Sequence, residues 1–346
     1  MLDKKSTQCP DCDGLTRRDF LRAASGGALA VAAGGLGIAA APRVALAADN
    51  RDTLIATLYK SMTDAQKTAV CFGWDHPKRQ MISNNWHIVP QKIGEFFMPD
   101  QQDLISQIFK ASHSEEWLPK RLQQLKDDDA GIHNYNIAIF GQPGSGKFEW
   151  VMTGRHLTLR VDGDSEPGVA FGGPIFYGHA AQGFNEKPDH PGNVYWYQAL
   201  RANEVFAAMD GKQRAVALQT GPVPPEAPSV LVPKPADQRV GLPVADMSRD
   251  QQELVQKVLA DVLAPCSKAD ALEAMRYVKA NGGVKSLHMS FYKAEDVGND
   301  GVWDVWKLEG PAMCWYFRGA PHVHTWVYLS EKPLLTPPPG PAPRQA

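Results

Sequence analysis

Four stretches of the chain place apolar residues three and four positions apart, which is the spacing of an amphipathic helix. They begin at Asp100, include Leu118, Leu122 and Leu125, run from Leu254 to Val262, and run from Ala269 to Ala280. Strand-like runs follow each pair of helices, and the predicted strand segments are 135–141, 149–162, 286–293, 302–309 and 312–329. Helical runs that precede strand runs favour an α+β fold over a doubly wound sheet.

Three short matches relate the first half of the chain to the second. They pair Met62–Lys67 with Met209–Arg214, Asp100–Leu104 with Asp250–Leu254, and the Trp150–Gly154 stretch with Trp306–Gly310, at separations of 147, 150 and 156 residues. We interpret them as an internal repeat whose two copies have diverged. The predicted halves, about 55–165 and 205–330, would each consist of helices followed by antiparallel strands, packed around a shared core.

Three segments lack helix or strand periodicity, and the last of them sets the predicted end of the domain. Residues 165–195 are glycine-rich and predict a long loop, and the proline-rich stretch 221–243 predicts a connection between elements. The tail, residues 333–346, is too rich in proline to pack and is predicted to be disordered. The α+β domain is therefore expected to span residues 48–332.

The N-terminal residues have the features of an export signal. Thr16-Arg17-Arg18-Asp19-Phe20-Leu21-Arg22 fits the twin-arginine pattern, an uncharged stretch follows, and Ala45-Leu46-Ala47 is a typical cleavage site. We therefore predict that residues 1–47 are a signal peptide. The expected partners are the twin-arginine translocase and signal peptidase, and the expected location is the periplasm. A short membrane anchor is the alternative. No later stretch approaches the roughly 18 apolar residues of a membrane span.

Charge and cysteine content narrow the class of protein. Removing residues 1–47 takes away six basic and four acidic side chains, so the formal charge moves from −2 to −4. That balance offers no basic surface for nucleic acid. Cys9 and Cys12 fall in the segment to be removed, and the other three cysteines, Cys71, Cys266 and Cys314, are expected to be buried thiols.

A phosphate-binding loop is suggested by Gly141-Gln142-Pro143-Gly144-Ser145-Gly146-Lys147 but fails on its context. Phe148 stands where the magnesium-binding Ser or Thr would be needed. The residues after Gly154 alternate with strand periodicity, whereas a phosphate loop must open a helix. The prediction is therefore a glycine-rich turn between two antiparallel strands.

The strongest candidate for chemistry is a His-x-His pair. On a strand, His322, His324, Trp326 and Tyr328 share one face, with the two histidines about 6–7 Å apart at the backbone. Such pairs bind metal in several β-built sites, and imidazole suits zinc, copper, iron or nickel. The alternative is that the histidines only form hydrogen bonds or face solvent.

Further ligands are expected from elsewhere in the chain. His156 is the natural third ligand, because it faces away from the aliphatic side of its own strand, and His179, His190 or Glu149 could complete the set. The run Asp127-Asp128-Asp129 is interpreted as a solvated helix end, with a divalent ion as the alternative.

These residues give the chain a resemblance to the domain of unknown function 3500 family, over most of the part after the signal. The shared points are Phe140-Gly141 leading to Trp150, Gly154-Arg155-His156-Leu157, Gly173–Gly178, and Gly310-Pro311 leading to His322-Val323-His324-Thr325. The chain departs from the family pattern in two places. It has Arg155-His156 where the family has two adjacent histidines, and proline where the family has an acidic and glycine segment.

We therefore expect an exported α+β protein with a histidine-centred pocket. His156, His322 and His324 would bind a divalent transition metal, namely zinc, copper or iron. Arg155 would neutralise an anionic small molecule, and Trp326 and Tyr328 would contact it. The protein would be a metal-dependent hydrolase or oxidoreductase. The alternative is a non-catalytic periplasmic protein that binds a small ligand in an aromatic-lined cleft.

Overall fold

The computed structural model describes residues 50–180, 193–296 and 300–341. All of these residues belong to one compact unit. The predicted signal peptide, residues 1–47, and the candidate ligand His190 lie outside the described residues. In the described part of the chain, none of the helices is long and apolar enough to span a membrane.

The described residues contain nine α-helices. They are α1 (Asn50–Ser61), α2 (Asp64–Val70), α3 (Ile93–Phe96), α4 (Pro99–Ala111), α5 (Leu118–Asp129), α6 (Trp196–Ala207), α7 (Gly211–Ala217), α8 (Arg249–Leu263) and α9 (Lys268–Ala280). The four helices predicted from apolar spacing correspond to α4, α5, α8 and α9. Three helices begin with a capping box, which satisfies amides at the helix start. The cap residues and their glutamine partners are Thr63 with Gln66, Asp210 with Gln213, and Ser248 with Gln251.

Eleven strands form a single, mostly antiparallel sheet. They are β1 (Cys71–Phe72), β2 (Asn136–Gly141), β3 (Phe148–Gly154), β4 (Leu157–Val161), β5 (Ile175–His179), β6 (Leu218–Gln219), β7 (Leu242–Pro243), β8 (His288–Tyr292), β9 (Val305–Gly310), β10 (Met313–Arg318) and β11 (Val323–Leu329). Their order across the sheet is β1-β2-β3-β4-β5-β11-β10-β9-β8-β6, and β7 pairs with β8. The α+β prediction is confirmed.

The element order is the same on both sides of the central β5–β11 pair. Short outer strands, β1 and β6, pair in parallel with β2 and β8, and all other neighbours are antiparallel. The helix caps also correspond. Gln66 Nε2 donates to Gln101 Oε1 at 2.8 Å, and Gln213 Nε2 donates to Gln251 Oε1 at 3.1 Å. A common origin of the two halves by duplication stays a prediction.

The central strands are buried on both faces. On β11, Val323 and Val327 pack into a cluster with α6, α8 and α9, whereas Trp326 and Tyr328 pack on the opposite face with residues such as Val230. This alternation is the one predicted for β11. Among the described residues, the buried apolar side chains form these two clusters and a third that consists of residues of the first half. A core shared by the two halves stays a prediction.

Several predicted segments differ in detail from the structure. The predicted loop 165–195 contains the central strand β5. Its glycine and proline residues interrupt the alternation that would predict a strand. The predicted runs 149–162 and 312–329 each form two strands joined by a turn. The glycine-rich stretch 142–147 joins β2 to β3 as a hairpin, as predicted. In the proline-rich tail, Pro339 O accepts a hydrogen bond from the Ile82 amide at 3.2 Å, and residues 342–346 lie outside the described part.

Candidate metal centre

Three buried histidines meet at the edge of the central strand pair. The ring centroid of His156 lies 5.0 Å from the centroids of both His322 and His324, and those two rings are 4.6 Å apart. One nitrogen from each ring can be chosen such that all three lie within 4.8 Å of one another. The sequence therefore identified three side chains that the fold brings together across 166 residues of chain.

His156 occupies a two-residue turn between β3 and β4. Its φ is 59°, a left-handed conformation that costs a non-glycine residue about 1–2 kcal/mol. The turn is held on both sides: the His156 amide donates to Asn84 O at 3.0 Å, and its carbonyl accepts from the Gly178 amide at 3.1 Å. Such a conformation persists only where its surroundings fix it, and it is typical of functional sites.

His324 reaches the cluster because its neighbour on β5 is a glycine. His324 pairs with Gly178, and a Cβ at Gly178 would lie 2.2 Å from Val323 O and 3.3 Å from His324 Cδ2. Any larger residue would therefore push β11 and the imidazole away. The short separation of His322 Nε2 from His156 Nε2, 3.2 Å, places the third ring against the first.

Asp128, near the end of α5, lies behind His156. Its Oδ1 accepts a hydrogen bond from His156 Nδ1 at 3.0 Å and from the Ala180 amide at 3.1 Å, and its Oδ2 lies 3.2 Å from His179 Nδ1. Asp128 is buried, so the interpretation of this stretch as a solvated helix end is wrong for Asp128. Since Nδ1 of His156 faces the carboxylate, its Nε2 points its lone pair at the cluster.

Glu226 plays the matching part behind His324. Its carboxylate contacts His324 Nδ1 in a short hydrogen bond and pairs with the Arg318 guanidinium at 3.3 Å. His324 Nε2 is buried and has no hydrogen-bond partner among the described residues. This nitrogen is therefore available as a ligand atom, oriented by the carboxylate on the other side of its ring.

The electrostatics of the site favour a neutral His156 and charged carboxylates. Burial lowers the pKa of His156, although Asp128 opposes that shift. Burial alone would raise the pKa of Asp128, but its hydrogen bonds from His156 and His179 hold it well below its ordinary value. The pKa of Glu226 is likewise lowered: burial opposes the shift, and the His324 hydrogen bond outweighs it. Neutral imidazole is the form that binds metal.

This donor set has the chemistry of a transition-metal site. Three imidazole nitrogens suit zinc, copper, iron or nickel, and histidines in metal sites donate their other ring N–H to a carboxylate or carbonyl. His156 and His324 both have such a carboxylate. Three protein ligands leave a coordination position for water or a substrate, as in catalytic zinc sites.

The other predicted site residues lie at varying distances from this centre. Arg155 adjoins His156 in the turn, is half-buried, and forms no ion pair with a carboxylate of the described residues. Trp326 and Tyr328 share the face of His324 but are packed in the core, with 1% and 7% exposure. Glu149 lies elsewhere: it is buried between Arg79 and Arg160, at 3.0 and 2.5 Å.

We did not predict from the sequence that two carboxylates contact the histidines. Asp128 did carry a signal, because it continues a buried helical spacing through Arg121, Gln124 and Leu125 on α5. A charged residue at a position that faces the core is costly unless it is paired, and therefore indicates a buried network. Glu226 carried no such signal, because it lies in a proline-rich connection without periodicity.

The fold and the cluster together define a class: an α+β protein with a buried three-histidine centre at the middle of one large sheet. The chain belongs to the family described as protein of unknown function (DUF3500), whose model matches residues 47–327. No curated protein and no solved structure matches the chain.

Proposed function

We propose that the protein is an exported, metal-dependent enzyme whose metal ion is held by the Nε2 atoms of His156, His322 and His324. The observation that carries the proposal is the convergence of three buried imidazoles, two of which have a carboxylate behind the ring. Histidines that serve only as core hydrogen-bond donors have no need to place three ring nitrogens within 4.8 Å of one another.

A metal held by three neutral ligands keeps its full charge for catalysis. When bound, it would polarise a substrate oxygen or lower the pKa of a bound water to about 7. With zinc the reaction would be hydrolytic, and with copper or iron it would be an oxidation or reduction. The three histidines fix the position of the ion, while Asp128 and Glu226 fix the tautomers of two of them.

Arg155 supports an anionic group in the substrate. Arg155 is half-buried, directly precedes His156 in the same turn, and forms no ion pair with a carboxylate of the described residues. A carboxylate or phosphate on the substrate would supply the missing charge. In this proposal Arg155 positions the substrate and takes no part in metal binding.

Metal content tests the proposal. The parent, purified without chelator or histidine tag, is compared by plasma mass spectrometry with a His322→Ala/His324→Ala variant and with His133→Ala, an exposed histidine outside the cluster. We expect close to one metal ion per chain in the parent and in His133→Ala, and none in the double variant.

The result also separates the enzyme from the alternative. A parent without metal, or equal metal in all three proteins of unchanged fold, would overturn the assignment and favour a small-molecule binding protein. Near-stoichiometric metal would name the ion to use in activity screens.

Export is part of the same proposal and rests on the sequence of residues 1–47. An Arg17→Lys/Arg18→Lys variant should accumulate in the cytoplasm, with the signal uncleaved, because the translocase reads the two arginines. Cell fractionation and the mass of the product measure this. Unchanged delivery to the periplasm would refute the twin-arginine route.

A further inference from the structure

Arg121 is a buried cation beside a small cavity, and Gln124 links it to Asp128. It belongs to the buried spacing of α5 and is 4% exposed. The cavity has a volume of about 40 Å³, and its wall includes Arg121, His113, Tyr195 and Cys266. One water-sized group needs roughly 10–15 Å³, so the cavity has room for a few such groups.

The guanidinium has no negative partner within ion-pair distance among the described residues. Arg121 NH1 donates to Gln124 Oε1 at 2.6 Å, and Nε is buried without a hydrogen-bond partner there. Gln124 Nε2 in turn donates to Asp128 Oδ2 at 3.2 Å, so the nearest linked carboxylate is one amide away.

The other acidic groups of the cavity wall cannot supply the charge. Asp270 is engaged by Arg51 through two hydrogen bonds of 2.7 Å. Burial raises the pKa of the Cys266 thiol to about 12, so it stays neutral. Burial lowers the pKa of Arg121 to about 10, which leaves it charged at neutral pH. A buried charge without a partner is strongly destabilising.

We propose that this cavity binds a small monovalent anion of the halide class, with chloride the expected ion, against the Arg121 guanidinium. The buried Nε, which has no hydrogen-bond partner among the described residues, would donate to it. The site is distinct from the metal centre, and its ligand needs no reaction.

The position of the cavity gives the anion a structural role. The segments that follow α4 and α8 pair at this point: Ser114 N donates to Pro265 O, and Ser267 N donates to Ser112 O, both at 3.1 Å. An anion on Arg121 would therefore stabilise the junction of the two halves. It would also hold Arg121 in the chain of hydrogen bonds that runs through Gln124 to Asp128.

Thermal unfolding at constant ionic strength tests the proposal, with sodium chloride or bromide exchanged for sodium gluconate. We expect the melting temperature of the parent to rise with halide and to saturate, by roughly 3–5 °C at a hundredfold excess over Kd. Arg121→Met should lose the saturable rise. Arg249→Gln, which changes a guanidinium 91% exposed, should keep it.

Anomalous diffraction from parent crystals soaked in bromide tests whether the cavity binds a halide, even where Arg121→Met fails to fold. An anomalous peak in the cavity, within hydrogen-bond distance of the guanidinium, would support the site. An ordered water alone in the cavity, or a halide effect equal in parent and Arg121→Met, would overturn it.

Discussion

Two hairpins of the sheet share their strand pairing and turn length but differ in backbone conformation and in chemistry. Strands β3 and β4 pair up to Gly154 and Leu157, and strands β9 and β10 pair up to Gly310 and Met313, so each turn has two residues. The last turn residue in each accepts a hydrogen bond from a central strand or its end, Gly178 in one case and Ser330 in the other. The first turn carries Arg155 and His156, and the second carries Pro311 and Ala312.

The two turns differ in the side chains that they bring together. His156 has a left-handed backbone conformation and lies beside His324 on β11 and His322 just before it. Ala312 accepts a hydrogen bond from the Ser330 amide and belongs to no such cluster among the described residues. The sheet order makes the two turns equivalent by topology. Among the described residues the histidine cluster lies at only one of the two turns, so this type of hairpin accepts either set of residues.

The largest effect is expected from exchanging the turn residues themselves. His156→Gly removes the imidazole while glycine adopts a φ of 59° at no cost, so the fold should survive and the metal should be lost. Ala312→Gly in the other hairpin should leave metal content unchanged. Mass spectrometry of both variants, with circular dichroism for the fold, measures this. Full metal occupancy in folded His156→Gly would remove His156 from the ligand set.

A smaller loss is expected when the carboxylate behind His156 becomes an amide. Asp128→Asn keeps the shape but weakens the acceptor that fixes the His156 tautomer, and metal affinity should fall about 10–100-fold. Chelator competition at fixed pH gives the affinity. Asp127→Asn, a change at the exposed neighbour on α5, is the control and should bind metal as the parent does. Equal affinities would mean that Asp128 is only structural.

Local sequence patterns predicted many of the helices and strands, whereas the position of a strand in the sheet depends on long-range contacts. Apolar spacing gave α4, α5, α8 and α9, and strand alternation gave the two faces of β11, because both depend only on near neighbours. Strand β5 was missed, since Gly173, Pro174 and Gly178 weaken its pattern although it lies at the centre of the sheet.

The candidate site divides in the same way. His322 and His324 were predicted to lie on one strand and His156 on another. The structure places only His324 on a strand, with His322 just before β11 and His156 in the turn between β3 and β4. Glu226 could not be found, because a single acidic residue in a proline-rich connection gains its meaning only from the contact with His324. Asp128 could have been found from its core-facing position on α5.

The glycines that precede the two turns also differ in how tightly they are packed. A Cβ at Gly154 would lie 2.3 Å from the Tyr135 ring, and one at Gly310 would lie 2.6 Å from Leu287 Cδ2. A buried ring cannot yield, whereas the end of a leucine side chain can rotate. We expect Gly154→Ala to cost about 2–3 kcal/mol in the free energy of unfolding, and Gly310→Ala clearly less. Urea unfolding of the metal-free proteins measures both, and a larger cost at Gly310 would contradict this account.

The residues at the ends of β4 and β10 differ in charge. The smallest expected effect, a change of stability with pH, follows from this difference. Arg318 ends β10 and pairs with Glu226 and Glu295, whereas Asp162 follows β4 and pairs with no cation of the described residues. Burial raises the pKa of Asp162 from 3.8 to about 7. The folded chain therefore holds the Asp162 proton more tightly than the unfolded chain does.

The sign of the resulting pH dependence follows from this shift. Stability from the protonated carboxyl is complete below about pH 4 and is lost as the pH rises towards 7, at no more than about 1.4 kcal/mol per pH unit. Asp162→Asn cannot titrate, so between pH 5 and 7 the parent should lose roughly 1–2 kcal/mol relative to this variant. Urea unfolding across that range measures the difference, with Asp103→Asn, an exposed change, as the control. Parallel pH profiles for parent and Asp162→Asn would mean that the folded chain does not raise the pKa of Asp162.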